Sequence, residues 1–188
     1  MRIHIVGASG SGTTTLGRAL ATQLELIHLD SDDFFWAHTE PPFQSARPPG
    51  ERRAALAGEL RGRESWVLSG SLCGWGDFLI PRFQLVVFLL VPAEVRLDRL
   101  RARELSRFGA SALSPGGEMH ETHHDFLEWA AAYDSGDTSM RSLARHEEWL
   151  AQVDCPVLRL ENETSIGQQV ERVLTAVGPA AAAGDDPR

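Results

Sequence analysis

Glycines and hydroxyl side chains near the start of the chain have a spacing that suits phosphate binding. Residues 7–14 read Gly7-Ala8-Ser9-Gly10-Ser11-Gly12-Thr13-Thr14, which fits the pattern G-x-x-x-x-G-K-[ST] at every position except the lysine. Glycines let a backbone wrap closely around an anion, and the N–H groups at a helix start point toward it. We call residues 7–14 the phosphate loop. The pattern predicts nucleotide phosphate binding by Gly7, Ser9, Gly10, Ser11, Gly12, Thr13, Thr14 and Thr15.

Thr13 occupies the position at which this motif usually carries lysine. That lysine bridges the outer phosphates of a nucleotide and offsets the charge that develops during phosphoryl transfer. Two hypotheses follow: a site that binds nucleotide without reacting, and a working site in which arginines neutralise the phosphates. The second is favoured, because Thr13-Thr14-Thr15 keeps a hydroxyl where the ammonium would begin and arginines are predicted within reach of the loop. Thr14 is predicted to ligate Mg²⁺ through its hydroxyl.

Three aspartates, Asp30, Asp32 and Asp33, follow the second predicted strand. The carboxyl ends of parallel strands meet at one edge of a sheet, so these side chains are expected beside the phosphate loop. One of them is expected to cap the short helix before Phe34. Asp32 is predicted as the catalytic carboxylate that orients an acceptor hydroxyl, and as a Mg²⁺ ligand with Thr14. Asp30 is the next candidate for catalysis.

Arginines and aromatic side chains supply the candidates for binding two substrates. Arg99 and Arg103 lie one turn apart on a predicted helix, and we expect both to contact the donor phosphates and to assist catalysis. Arg141 and Arg145 are weaker candidates for the same role. For the acceptor, the candidates are Asp33, Trp36, Arg52, Arg53 and Arg82.

A second motif competes with this interpretation. His120-Glu121-Thr122-His123-His124 satisfies H-E-x-x-H, in which two histidines one turn apart bind zinc and the glutamate acts as a general base. Glu147 or Glu148 could serve as the third ligand. The match lies in a polar helix just after two glycines, where a metal would be poorly shielded. A zinc hydrolase is therefore the remote alternative.

The elements that must position these residues alternate between strands and helices along the whole chain. Such alternation predicts an α/β fold with a five-stranded parallel sheet and helices on both faces. Residues 1–177 are expected to form a single domain in which a helical lid is inserted at about 108–153. Residues 178–188 are expected to be a disordered tail.

Composition excludes several classes of function. The formal net charge of −8 argues against a nucleic-acid binder, since phosphate backbones attract basic surfaces. No run of 18 apolar residues exists, so no membrane span is expected. The two cysteines, Cys73 and Cys155, lack metal-like spacing and are expected to be free thiols in the cytoplasm.

Taken together, these residues resemble the small nucleotide kinases of the adenylate and cytidylate kinase-like group. The resemblance rests on the phosphate loop, on Asp30 to Asp33, on the apolar strand before Pro92, and on the arginine pair that follows it. Archaeal cytidylate kinases are similar in carrying threonine at the lysine position. Uncharacterised bacterial adenylate kinase-like ATP-binding proteins are similar in sharing Gly116-Gly117 and Trp129-Ala130-Ala131-Ala132-Tyr133-Asp134.

The resemblance implies a three-layer P-loop NTPase fold, ATP as donor, Mg²⁺ as cofactor, and donor contacts from Arg99 and Arg103. One segment departs from the family: adenylate kinases carry Asp-Gly-Phe-Pro-Arg after the third strand, where this chain has Ser69-Gly70-Ser71-Leu72-Cys73. The expected function is an ATP- and Mg²⁺-dependent kinase whose small-molecule acceptor and oligomeric state are open. An ATP-binding sensor without phosphotransfer is the main alternative.

Overall fold

Five parallel strands form one sheet in the computed structural model, which describes residues 1–161 and 165–178. The strands are β1 (Arg2–Gly7), β2 (His28–Asp30), β3 (Trp66–Ser69), β4 (Leu85–Leu90) and β5 (Val157–Glu161). Their order across the sheet is β2-β3-β1-β4-β5. The central strands are buried on both faces, as expected of a parallel sheet covered by helices. The predicted fold class is confirmed.

Helices cover both faces of this sheet. They are α1 (Thr13–Leu24), α2 (Ser31–Phe35), α3 (Pro49–Glu59), α4 (Ala93–Leu113), α5 (His120–Ala131), α6 (Leu143–Leu150) and α7 (Ile166–Val177), with 3-10 helices at Asp77–Arg82 and Ala132–Asp134. None of the helices in the described ranges combines the length and the apolar character needed to cross a bilayer.

Alternating side chains of β1 enter two separate cores, one on each face of the sheet. Ile3 and Ile5 pack with Leu16 and Leu20 of α1 and with Val173 of α7. On the other face, the core is built around the side chains of Val6, Leu56, Trp66, Leu72, Leu79, Phe88 and Trp149. The molecule is therefore a three-layer α/β/α structure, with the carboxyl ends of the strands free at one edge.

The segment predicted as a lid, residues 108–153, divides into two parts in the structure. The first part extends α4 to Leu113 across a break at Gly109 (φ 79°, ψ 159°), and α5 then packs against α4. The second part belongs to the body of the protein, because Trp149 and Leu150 are buried in the core beneath the sheet. Of the tail expected at 178–188, only Gly178 falls within the described residues, where it ends α7.

Arg96 joins the start of α4 to the end of the insert. Its guanidinium is almost fully buried and donates to the carbonyls of Val91 (2.8 Å) and Ala130 (3.4 Å) and to Asp134 Oδ2 (2.5 Å). The guanidinium also lies 5.0 Å from the ring centroid of Tyr133. A buried cation needs such partners, since an unpaired charge is costly inside a protein. Arg96 is therefore a structural residue.

An Asp134→Asn variant is expected to lower the free energy of unfolding by about 1–3 kcal/mol, because the buried guanidinium of Arg96 loses its charged partner. Urea unfolding at pH 7 measures the change. The control is Asp98→Asn, which breaks an exposed pair with Arg101 and is expected to cost less than about 1 kcal/mol. Equal effects of the two substitutions would contradict the role given to Arg96.

Candidate functional site

The phosphate loop lies between the end of β1 and the start of α1, as its sequence predicted. Gly10 and Gly12 have φ values of 80° and 97°, which side chains rarely tolerate. A Cβ atom at Gly10 would also lie 2.6 Å from the carbonyl oxygen of Arg96, so α4 packs directly on the loop. Gly12 is the N-cap of α1 and has no side chain to occupy the first N–H groups of the helix. These groups can therefore bind an anion.

Asp30 connects the phosphate loop to β2 and β3. Thr14 Oγ1 donates to Asp30 Oδ2 over 2.7 Å, and Ser69 Oγ donates to the same oxygen over 3.3 Å. Asp30 Oδ1 accepts from the N–H of Asp32 over 3.1 Å and thereby caps α2. The sequence predicts Thr14 and Asp32 as the Mg²⁺ ligands, whereas the structure brings Asp30 to the Thr14 hydroxyl. Asp30 is therefore both the expected cap of α2 and the carboxylate beside the phosphate loop.

Asp32 stands in the first turn of α2, close to this pair. The Asp32 side chain is exposed, yet desolvation by the surrounding protein raises the pKa of its carboxyl. The negative charge of Asp30 raises this pKa further. The positive charges of Arg141 and Arg103 act in the opposite direction and lower this pKa. The pKa of the exposed neighbour Asp33 is also raised, first by desolvation and then by Asp30. A carboxylate with a raised pKa is a better proton acceptor near neutral pH.

Arg99 and Arg103 project from α4 at the margin of the site, and both are exposed. Arg99 Nη1 lies 3.5 Å from the carbonyl oxygen of Gly10 in the phosphate loop. Arg103 Nε lies 3.5 Å from the buried carboxylate of Glu104. The structure thus brings Arg99 of the predicted pair to the phosphate loop, and the positive charge of Arg103 influences the pKa of Asp32.

Arg141 reaches the site from the segment before α6. Its Nη2 donates to the carbonyl oxygen of Gly7 over 2.9 Å, at the first residue of the phosphate loop. From the sequence, Arg141 is only a weaker candidate, because no motif surrounds it and it follows Gly7 by more than 130 residues. The nearest local signal is Ser142, whose side chain accepts from Arg145 N–H and fixes the start of α6.

The residues predicted for the acceptor are divided between two places. Trp36 packs edge-on against Phe35 and Phe43. The guanidinium carbon of Arg52 lies 3.8 Å from the ring centroid of Phe35, at the end of α2. The remaining two arginines contact other aromatic rings. Arg53 lies 5.5 Å from the Phe78 ring, and Arg82 contacts the Arg63 carbonyl and the Trp66 ring.

Trp66 begins β3, so Arg82 lies toward the amino ends of the strands, at the edge opposite the phosphate loop. The structure therefore does not bring Arg82 to the site.

The H-E-x-x-H motif forms the first turns of α5 but does not assemble a metal site in the described residues. His120 Nδ1 lies 2.9 Å from the Leu113 carbonyl, and Glu147 is paired with Arg159. Within residues 1–161 and 165–178, the group of three side chains close enough to share a metal is His124, Asp125 and Glu128, all exposed, and it does not contain His120. The two motif histidines are therefore not joined by a third ligand in the described residues.

Comparison with known proteins places this geometry in a family. The family described as AAA domain matches residues 3–109, more than half of the chain. The chain belongs to the AAA domain family. The uncharacterized protein YqaC of Bacillus subtilis is 48% identical to this AAA domain protein over 172 residues, with 92% of this chain and 94% of YqaC covered. A cytidylate kinase of Methanocorpusculum labreanum is 30% identical over 115 residues, with 55% and 63% covered.

Among solved structures, a shikimate kinase of Acinetobacter baumannii in complex with shikimate is similar, with a TM-score of 0.54 and 21% identity. The similarity covers 94% of this chain and 92% of that one, and it supports the fold. The resemblance to P-loop nucleotide kinases, predicted from the phosphate loop and the residues beyond it, is confirmed.

Proposed function

We propose that this AAA domain protein is a kinase that transfers the terminal phosphate of ATP to a hydroxyl group of a small molecule. The observation that carries the proposal is the hydrogen bond of 2.7 Å between Thr14 and Asp30, formed beside the phosphate loop. Asp32 follows in the first turn of α2, the helix that Asp30 caps. A phosphate cradle, a pair of oxygen ligands and a candidate base thus share one edge of the sheet. The kinase names of the cytidylate and shikimate relatives agree with this assignment.

The donor atoms at Thr14 and Asp30 fit Mg²⁺, which prefers hydroxyl and carboxylate oxygens and keeps several waters. A bound Mg²⁺ would neutralise phosphate charge during transfer. The backbone N–H groups of the phosphate loop hold the donor phosphates. Asp32 accepts the proton of the acceptor hydroxyl. The oxygen of that hydroxyl forms a bond to the terminal phosphorus of ATP, while the bond between that phosphorus and the leaving oxygen of ADP breaks. Arg99 and Arg103 lie where they can neutralise the donor.

The experiment measures ADP formation from Mg-ATP in the presence of shikimate and other hydroxy acids, sugars and nucleoside monophosphates, with a water-only control. We expect one class of acceptor to raise ADP formation well above the rate with water. Thr14→Ala is expected to reduce that turnover by roughly 100-fold, because the hydroxyl beside Asp30 is lost. Thr14→Ser keeps the hydroxyl and is the matched control. Full turnover by Thr14→Ala would contradict the proposal.

The second candidate is an ATP-binding sensor without phosphotransfer, and the observation that favours it is Thr13 at the lysine position. It predicts binding of ATP together with a rate of ADP formation that no acceptor raises. The same acceptor panel, combined with an ATP binding titration, separates the two functions.

A further inference from the structure

The missing lysine leaves the phosphate loop without a cation of its own. Thr13 cannot supply one, and no lysine occurs anywhere in the chain. Phosphoryl transfer increases the demand for positive charge around the transferred group. Some other side chain must therefore meet that demand if the loop supports transfer.

Arg141 has its guanidinium at the entrance of the loop. One N–H group of Nη2 is used by the Gly7 carbonyl, at 2.9 Å. The Nε atom is buried and has no hydrogen-bond partner in the part of the chain that the structure describes. A buried donor without a partner costs about 1–3 kcal/mol. The loop entrance therefore holds a guanidinium with donor capacity to spare.

The segment that carries Arg141 is fixed to the body of the protein. Ser142 is buried and donates to the Asp137 carbonyl over 2.6 Å. His146, one turn further along α6, lies 2.7 Å from Tyr133 Oη and 3.1 Å from Ser71 Oγ, which follows β3. Arg141 is therefore held in position by a rigid helix start, as a group that receives an anion must be.

The charges around Arg141 indicate which anion it receives. Burial lowers its pKa, and the carboxylate of Asp32 is the strongest charge that opposes this effect. Asp32, at the start of α2, therefore acts most strongly among the charges on Arg141, whose guanidinium bonds to the first residue of the phosphate loop. In the proposed kinase, the terminal phosphate meets the acceptor between the phosphate loop and α2.

We infer that Arg141 replaces the missing lysine of the phosphate loop: its guanidinium binds the terminal phosphate of ATP and neutralises it during transfer. The inference rests on the proposed function. The planar guanidinium can donate to the Gly7 carbonyl with one N–H group and to phosphate oxygens with the others. A lysine at position 13 would supply the same positive charge from within the loop.

The test uses Arg141→Gln, Arg141→Lys and the double variant Thr13→Lys/Arg141→Gln. Titrations give the dissociation constants of ATP and of ADP, and turnover is measured with the acceptor found in the panel. Arg141→Gln is expected to reduce the preference for ATP over ADP by about tenfold and kcat by about 10²- to 10³-fold. Arg141→Lys is expected to keep part of the preference for ATP and part of kcat. The double variant Thr13→Lys/Arg141→Gln is expected to have a kcat at least tenfold above that of Arg141→Gln.

The matched control is Arg63→Gln, an exposed arginine after α3 whose Nη2 bonds to Glu59 Oε1 at 3.0 Å. It is expected to leave the ATP preference and kcat unchanged. Equal weakening of ATP and ADP by Arg141→Gln would overturn the inference. It would also be overturned by a change confined to the acceptor KM, which would assign Arg141 to an anionic group of the acceptor.

The inference and the proposed function can fail separately. If no acceptor raises ADP formation, the proposed kinase fails, yet the ATP-to-ADP affinity ratio still tests Arg141. A ratio unchanged by Arg141→Gln in a variant that unfolds at the wild-type temperature would then overturn the inference. A tenfold loss that Thr13→Lys restores would support it for a protein that only binds nucleotide.

Discussion

An Asp32→Asn variant is expected to bind Mg-ATP as tightly as the wild type and to transfer phosphate about 10²- to 10⁴-fold more slowly. An amide has nearly the shape of the carboxyl but cannot accept the proton of the acceptor hydroxyl. ATP binding depends on the phosphate loop and on Thr14 and Asp30, which the substitution leaves in place. Single-turnover kinetics with the identified acceptor, combined with an ATP titration, measure the two effects separately.

The control for this substitution is Asp98→Asn, which removes an exposed carboxylate from α4. The pH profile of kcat provides a second check. Because desolvation and Asp30 raise the pKa of Asp32, the acidic limb of the profile is expected above the range of an ordinary aspartate. Turnover by Asp32→Asn within a few-fold of the wild type would assign the proton to another group.

Lowering the pH from 7 to 5 is expected to reduce the free energy of unfolding by about 2 kcal/mol for each of His4 and His146. Burial lowers the pKa of His4 to about 4 and that of His146 to about 3, whereas unfolded histidine titrates near 6.5. The unfolded chain therefore binds more protons than the folded one in this window. Stability is full above about pH 6.5 and falls as the pH drops toward the lowered values.

Urea unfolding at pH 7 and pH 5 measures this loss, and His146→Gln separates the two histidines. Glutamine can bond to Tyr133 and Ser71 but does not titrate, so this variant is expected to lose about half of the pH dependence. The control is His124→Gln, which changes an exposed histidine and is expected to keep the full dependence. An unchanged slope in His146→Gln would show that another group governs stability at low pH.

Much of the fold could be predicted, because its signals are local in the sequence. The apolar run of β4, the glycines of the phosphate loop and the proline before α4 each specify structure within a few residues. The order of the strands across the sheet, β2-β3-β1-β4-β5, depends on which strands pair, and no short segment encodes it.

The candidate site was less predictable than the fold, for the same reason. Thr14 lies in a motif, but the sequence favours Asp32 over its actual partner Asp30, since spacing alone does not show which carboxylate points toward the loop. Arg141 meets Gly7 only because α6 is anchored to the body of the protein. Arg82 is an acceptor candidate by residue type alone, and it lies toward the amino ends of the strands.

The order of strands also determines when the sheet can begin to form during folding. β1 occupies the centre, and its partners are residues 66–69 of β3 and residues 85–89 of β4. A growing chain therefore lacks one of the two neighbours of its central strand until about half of the molecule has been made. Contacts between such distant segments slow folding and favour aggregation of partly made chains. Truncation before β4 is consequently expected to yield an insoluble fragment with no phosphate loop in place.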